Sequence, residues 1–152
     1  MGHMADVREF DAEADAIGAI RAYVQDRLVR AGASDQAIDA AVLCASELAT
    51  NALLHGDGPI GVDLDLGARA RVTIHDRNPQ LPVLTSPAPT ADAGRGLVMV
   101  DLFADAWGSA LDEHGKAVWF ELELRAAPPV RDEWEGAEPA HERRRWRRVS
   151  AG

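Results

Sequence analysis

The sequence predicts an α+β domain: a two-layer α/β sandwich in which helices cover one face of a mixed, mostly antiparallel sheet. Three observations carry that expectation. As far as Gly56, apolar residues recur at helical spacing. From Ile60 the period drops to two. After one more helical stretch, two further short runs close the domain as a hairpin.

The first helical stretch is "DAIGAIRAYVQDRLVRAG", with Ile17, Ile20, Val24 and Leu28 on one stripe and Gly32 as its stop. Next comes "SDQAIDAAVLCASELATNALLHG", with Ser34 or Asp35 placed to cap it. Ile38, Val42, Ala45, Ala49 and Ala52 share one face of this second helix. Glu47, Asn51 and His55 fall four apart on another side, beside Leu43 and Leu54, which suggests that this side is partly covered too. "IGVDLDL" alternates Ile60, Val62, Leu64 and Leu66 against Gly61, Asp63 and Asp65, as a half-buried strand does. "GARA" turns into "RVTIHD", and so short a connection makes the pair antiparallel. "NPQLPVLTSPAPTADAG" has no period and reads as a loop of the length that lids use. "GLVMVDLFADA" is helical. "WGSAL", the turn "DEHG" and "KAVWFELEL" complete the hairpin, with Val118, Phe120, Leu122 and Leu124 facing one way.

The 152 residues suit one domain. Residues 1–4 have the look of an expression scar, 5–125 form the domain, and 126–152 read as a charged, flexible tail. Six arginines and five acids fall in that tail, which leaves ten bases against twenty acids elsewhere in a chain of net charge −9. A balance so acidic argues against general nucleic-acid binding. "ERRRWRR" in the tail reads as a solvated end or as a segment that orders on a partner. No stretch reaches the roughly 18–20 apolar residues of a membrane span, so no membrane is expected. Cys44 is the one cysteine, expected to be partly buried, and the expected location is the cytoplasm.

Three stations carry chemistry: "SELATNALLHG" on a helix, "HDRNP" at a strand end, and "DAGRGL" entering a helix. Singly, each has an ordinary reading: a solvated helix face, a turn-forming aspartate, a helix start. Together they make a consistent nucleotide site. Asp76 at a strand end can accept a hydrogen bond from an exocyclic amine such as that of adenine. Asn51 can place its amide oxygen on Mg2+, a hard cation that takes oxygen ligands. The "GRG" turn of Gly94, Arg95 and Gly96 lets backbone amides approach phosphate, and the helix that follows offers free N–H groups and a favourable dipole. Glu47, one turn before Asn51, can take a proton from a nucleophile. His55 suits either a phosphate contact or an ordinary place against the helix C-terminal dipole. His75 is expected to point to the other face of its strand, and Lys116 to be structural.

With these residues in order, the chain resembles the GHKL (Bergerat-fold) ATPase superfamily. Within it, the chain is most similar to anti-sigma-factor serine/threonine kinases and stand-alone histidine-kinase-like proteins of actinobacteria. The resemblance implies that "ELATNALLHG" is the N box, with Glu47 as general base, Asn51 as Mg2+ ligand and His55 beside the phosphates. "DRNP" stands for the first glycine box, with Asp76 reading adenine. "GRGL" stands for the second, with Gly94, Arg95, Gly96 and the Leu97 amide at the phosphates. Where that first box usually continues with glycines, this chain has Arg77, Asn78, Pro79 and Gln80, which leaves less room for backbone approach. A helix carrying a phosphoacceptor histidine is lacking, so histidine autophosphorylation is not expected. What the resemblance implies is an ATP- and Mg2+-dependent kinase acting on an anti-sigma antagonist, with a sigma factor as a second partner and a homodimer compatible with it. The alternatives are a module that sequesters a partner without phosphotransfer, and an ATPase that hydrolyses to water.

Overall fold

A computed structural model describes residues 6–80 and 95–125, with the side chains of Arg95 and Gly96 excluded. Gly94, most of the expected lid and the arginine-rich tail lie outside the described residues. The elements run β1 (Arg8–Phe10), α1 (Ala16–Arg30), α2 (Asp35–His55), β2 (Ile60–Leu66), β3 (Arg69–Asp76), α3 (Arg95–Phe103), β4 (Ala106–Asp112) and β5 (Gly115–Glu123).

The sheet has the order β1-β2-β3-β5-β4, and each of its four pairings is antiparallel. The alternation expected of the strands sets its two faces. Ile60, Val62, Ala70, Val72, Ile74, Val118, Phe120 and Leu122 turn toward the helices and are buried. Gly61 and Asp63 are buried as well, so the start of β2 is covered on both faces, contrary to a half-buried strand. β1 has no counterpart in the sequence reading, because three residues are too few to show a period.

The helices follow their apolar stripes. Ile20, Val24 and Leu28 are the fully buried side of α1. Its end is a Schellman turn: Gly32 at φ 76° donates to the Val29 carbonyl, and Ala33 to that of Leu28. Ser34 rather than Asp35 caps α2, its hydroxyl accepting from the Ala37 amide at 3.1 Å. The Ser34 amide in turn donates to the Leu124 carbonyl, fixing the start of α2 at the far end of β5. Cys44 is fully buried, not partly, because α2 packs between α1, α3 and the sheet. At 21 residues, α2 is long and apolar enough to cross a membrane by length and composition alone, which corrects the expectation that no stretch comes near. Here it is the core helix of a sandwich, and small residues (Ala41, Ala45, Ala49) let it lie close to its neighbours. α3 is pinned to β4 by a hydrogen bond from the Trp107 indole to Asp101 at 2.9 Å.

Candidate functional site

α2 starts beside the end of β5 and finishes beside the end of β3, so the last turn of the helix meets Asp76. Gly56, the first residue after α2, makes that meeting possible. A Cβ there would lie 2.3 Å from the Ala52 carbonyl oxygen and 2.9 Å from the Asp76 carboxyl carbon. Asp76 is 6% exposed and both its oxygens are engaged. Oδ1 accepts from the Asn78 amide at 2.8 Å, and Oδ2 is 3.2 Å from the Lys116 ammonium. Asp76 and Lys116 are direct partners across β3 and β5. The chain beyond Asp76 folds back onto the helix end. The Asn78 side-chain amide donates to the His55 carbonyl at 2.6 Å, and the Arg77 amide to the Asp57 carbonyl at 2.8 Å. Gly115, at φ 151°, passes so close that a Cβ would lie 2.1 Å from the Asp76 carbonyl oxygen.

Glu47 and Asn51 are half-buried one turn apart on α2, and neither side chain hydrogen-bonds another described residue. His55 is exposed at the helix end. Leu43 beside them is half-buried, whereas Leu54 is 60% exposed, so the expected cover is partial. α3 packs against α2, and its described residues start at Arg95. Leu97, in its first turn, is buried. The structure thus brings Asp76 to the end of the helix that carries Glu47, Asn51 and His55, with the start of α3 on a helix packed against it.

His75 turns to the opposite face, as expected, where its Nε2 is 2.6 Å from Asp63. A cavity of about 720 Å³ lies on that side, lined by Glu9, His75, Arg77, Asp112 and His114 among others. It borders Asp76 but reaches neither Glu47, Asn51 nor Leu97, so it is separate from the helix-side residues. Two features of the site escaped the sequence reading. Gly56 follows a helix, where a glycine is usually only a stop. The other is the pairing of Asp76 with Lys116: Lys116, expected to be structural, lies in phase with Val118, Phe120 and Leu122 on the inward face of β5.

The profile of the histidine kinase-like ATPase domain matches residues 10–122. The chain belongs to that family. An ATP-binding role goes with the domain. No curated protein matches the chain. Among solved structures, the chain is similar to the RsbU and RsbW domains of Rv1364c from Mycobacterium tuberculosis, with a TM-score of 0.60 and 20% identity. That match covers 80% of this chain and 34% of the other, so the chain spans well under half of the protein it resembles. The likeness is one of fold.

Proposed function

We propose that this ATPase-family protein is a cytoplasmic anti-sigma factor that transfers the γ-phosphoryl group of ATP to a serine or threonine of an anti-sigma antagonist. The observation that carries the reading is the contact between Asp76 and Gly56, which joins a buried carboxylate to the end of the helix bearing Glu47 and Asn51. Membership of the ATPase family supports it. The fold likeness to a protein whose name includes an RsbW domain gives the choice of partners its support.

In this reading Asp76 accepts a hydrogen bond from the adenine amine, and the backbone amides of Gly94, Gly96 and Leu97 hold the phosphates, with Arg95 and His55 near them. The acceptor hydroxyl oxygen bonds to the γ-phosphorus as the bond from that phosphorus to the β–γ bridging oxygen breaks, ADP leaves, and Glu47 takes the hydroxyl proton. Asn51 suits Mg2+, since its half-buried amide has no hydrogen bond to another described residue. No three His, Cys, Asp or Glu side chains cluster to hold a metal among the described residues, so phosphates and water would complete the shell. When bound, Mg2+ supplies neutralisation of the phosphate charge.

Calorimetric titration of Mg2+–ATP and Mg2+–ADP tests the site. Binding in the micromolar range, about −8 kcal/mol, is expected, and Asp76→Asn should weaken it at least about tenfold because an amide can turn its NH2 toward the adenine amine. Glu47→Ala should keep nucleotide binding and abolish transfer to a candidate antagonist; intact transfer would remove Glu47 as the base. A second reading, a partner-sequestering module without phosphotransfer, is favoured by the Asp76 carboxylate having both oxygens already engaged. Absence of heat from either nucleotide would select it.

A further inference from the structure

The Lys116 side chain is 8% exposed and that of Asp76 4%, and both lie on the helix-covered side of the sheet. An ammonium has three donors. Among the described residues Lys116 has one partner, Asp76, at 3.2 Å. At least two N–H bonds of a nearly buried cation are therefore left without an acceptor from those residues, a costly condition unless something else supplies one. The same 3.2 Å sets an acceptor, Asp76 Oδ2, side by side with a donor, Lys116 Nζ.

We infer that Lys116 determines which base the site takes, donating to ring nitrogen N1 of an adenine whose N6 amine donates to Asp76. The inference rests on the reading of Asp76 as the base end of a nucleotide site. Its content is the pairing pattern. The Watson–Crick edge of adenine presents a donor, N6–H, next to an acceptor, N1, which is the complement of a carboxylate next to an ammonium. Guanine presents the reverse, the O6 acceptor next to the N1–H donor. Docked in the same way, guanine sets its oxygen against the carboxylate and its N–H against the ammonium. A mismatch of buried polar groups discriminates far more steeply than a change of size, because each group loses its partner. Lys116 stays in its ion pair with Asp76 while giving N1 one of its N–H bonds, so the ion pair and the base contact coexist. A purely structural Lys116 would neutralise Asp76 and be indifferent to N1.

The test is calorimetric titration of the wild-type protein with four Mg2+-loaded triphosphates. These are ATP, 1-deaza-ATP (in which C–H replaces N1), 7-deaza-ATP as a control for a ring nitrogen on another edge, and GTP. The expected result is that 7-deaza-ATP binds like ATP, 1-deaza-ATP binds about ten- to a hundredfold more weakly, as loss of a hydrogen bond to a charged group predicts, and GTP gives no detectable heat. In Lys116→Met, with folding checked by circular dichroism, ATP and 1-deaza-ATP should bind equally. Equal binding of the two by the wild type overturns the role of Lys116 while leaving the nucleotide site standing. A preference for ATP that survives in Lys116→Met assigns the N1 donor elsewhere and also overturns it. Failure of every adenine nucleotide to bind overturns both the site and the inference. The wild-type comparison needs no substitution, so it can refute the inference even if the variant does not fold.

Discussion

Two ion pairs join the same two strands, β3 and β5, in the same way, each between residues directly opposite in the ladder. Arg71 and Glu121 meet at 2.6 Å on the outer face, with side chains 46% and 24% exposed. Asp76 and Lys116 meet at 3.2 Å on the helix-covered face, almost without solvent. On the outer face water screens the charges, and such a pair contributes little. On the inner face the desolvation of both ions is offset, among the described residues, by their mutual contact and by the Asn78 amide, and an apolar pair of similar volume would serve stability as well or better. A costly pair at the end of the sheet, beside Gly56 and the last turn of α2, fits a place kept for ligand chemistry rather than for the core.

Substitutions sharpen or break that contrast. Lys116→Met should have the largest effect, about 3–5 kcal/mol lost in urea denaturation, because it leaves the Asp76 carboxylate buried and uncompensated. The double variant Asp76→Asn with Lys116→Met should recover most of that loss, and a double variant as unstable as the single one would mean that packing rather than charge is at stake. Asn78→Ala should cost about 1 kcal/mol, since it frees the His55 carbonyl at the end of α2; the thermal midpoint would report it. Glu121→Gln should be the mildest, within about 0.5 kcal/mol and insensitive to added salt beyond the wild type's own response. A larger loss there would place the outer face on the same footing as the inner one and dissolve the comparison.

Much of this arrangement can be read from the residues alone. The alternation of Val118, Phe120 and Leu122 gives the closing strand, and the spacing of Ile20, Val24 and Leu28 gives the buried side of α1. The same phase carries more than apolar residues. Asp76 continues the inward series of Ala70, Val72 and Ile74, and Lys116 precedes that of β5, so two charges stand in step with the core. A charge in phase with buried residues at a strand end is a signal in the sequence, and the expectation that Lys116 is structural carries no hint of its pairing with Asp76, because lysines are so often solvated. Gly56 is less legible. Its backbone angles are ordinary, and what demands a glycine is the Ala52 carbonyl one turn back together with a carboxylate twenty residues further along, which only tertiary structure brings near. Asn78 had the look of a departure from a glycine pattern, and its bond to the helix end gives it a place of its own.

That bond has a mechanical consequence. Asn78 holds Asp76 with its backbone and α2 with its side chain, while Arg77 grips Asp57, so the end of β3 and the end of α2 are fastened at two points within a few residues. Asp76 and Asn51 therefore sit on one rigid jaw, like the fixed arm of a caliper. A ligand reaching from one to the other is measured against a preset span.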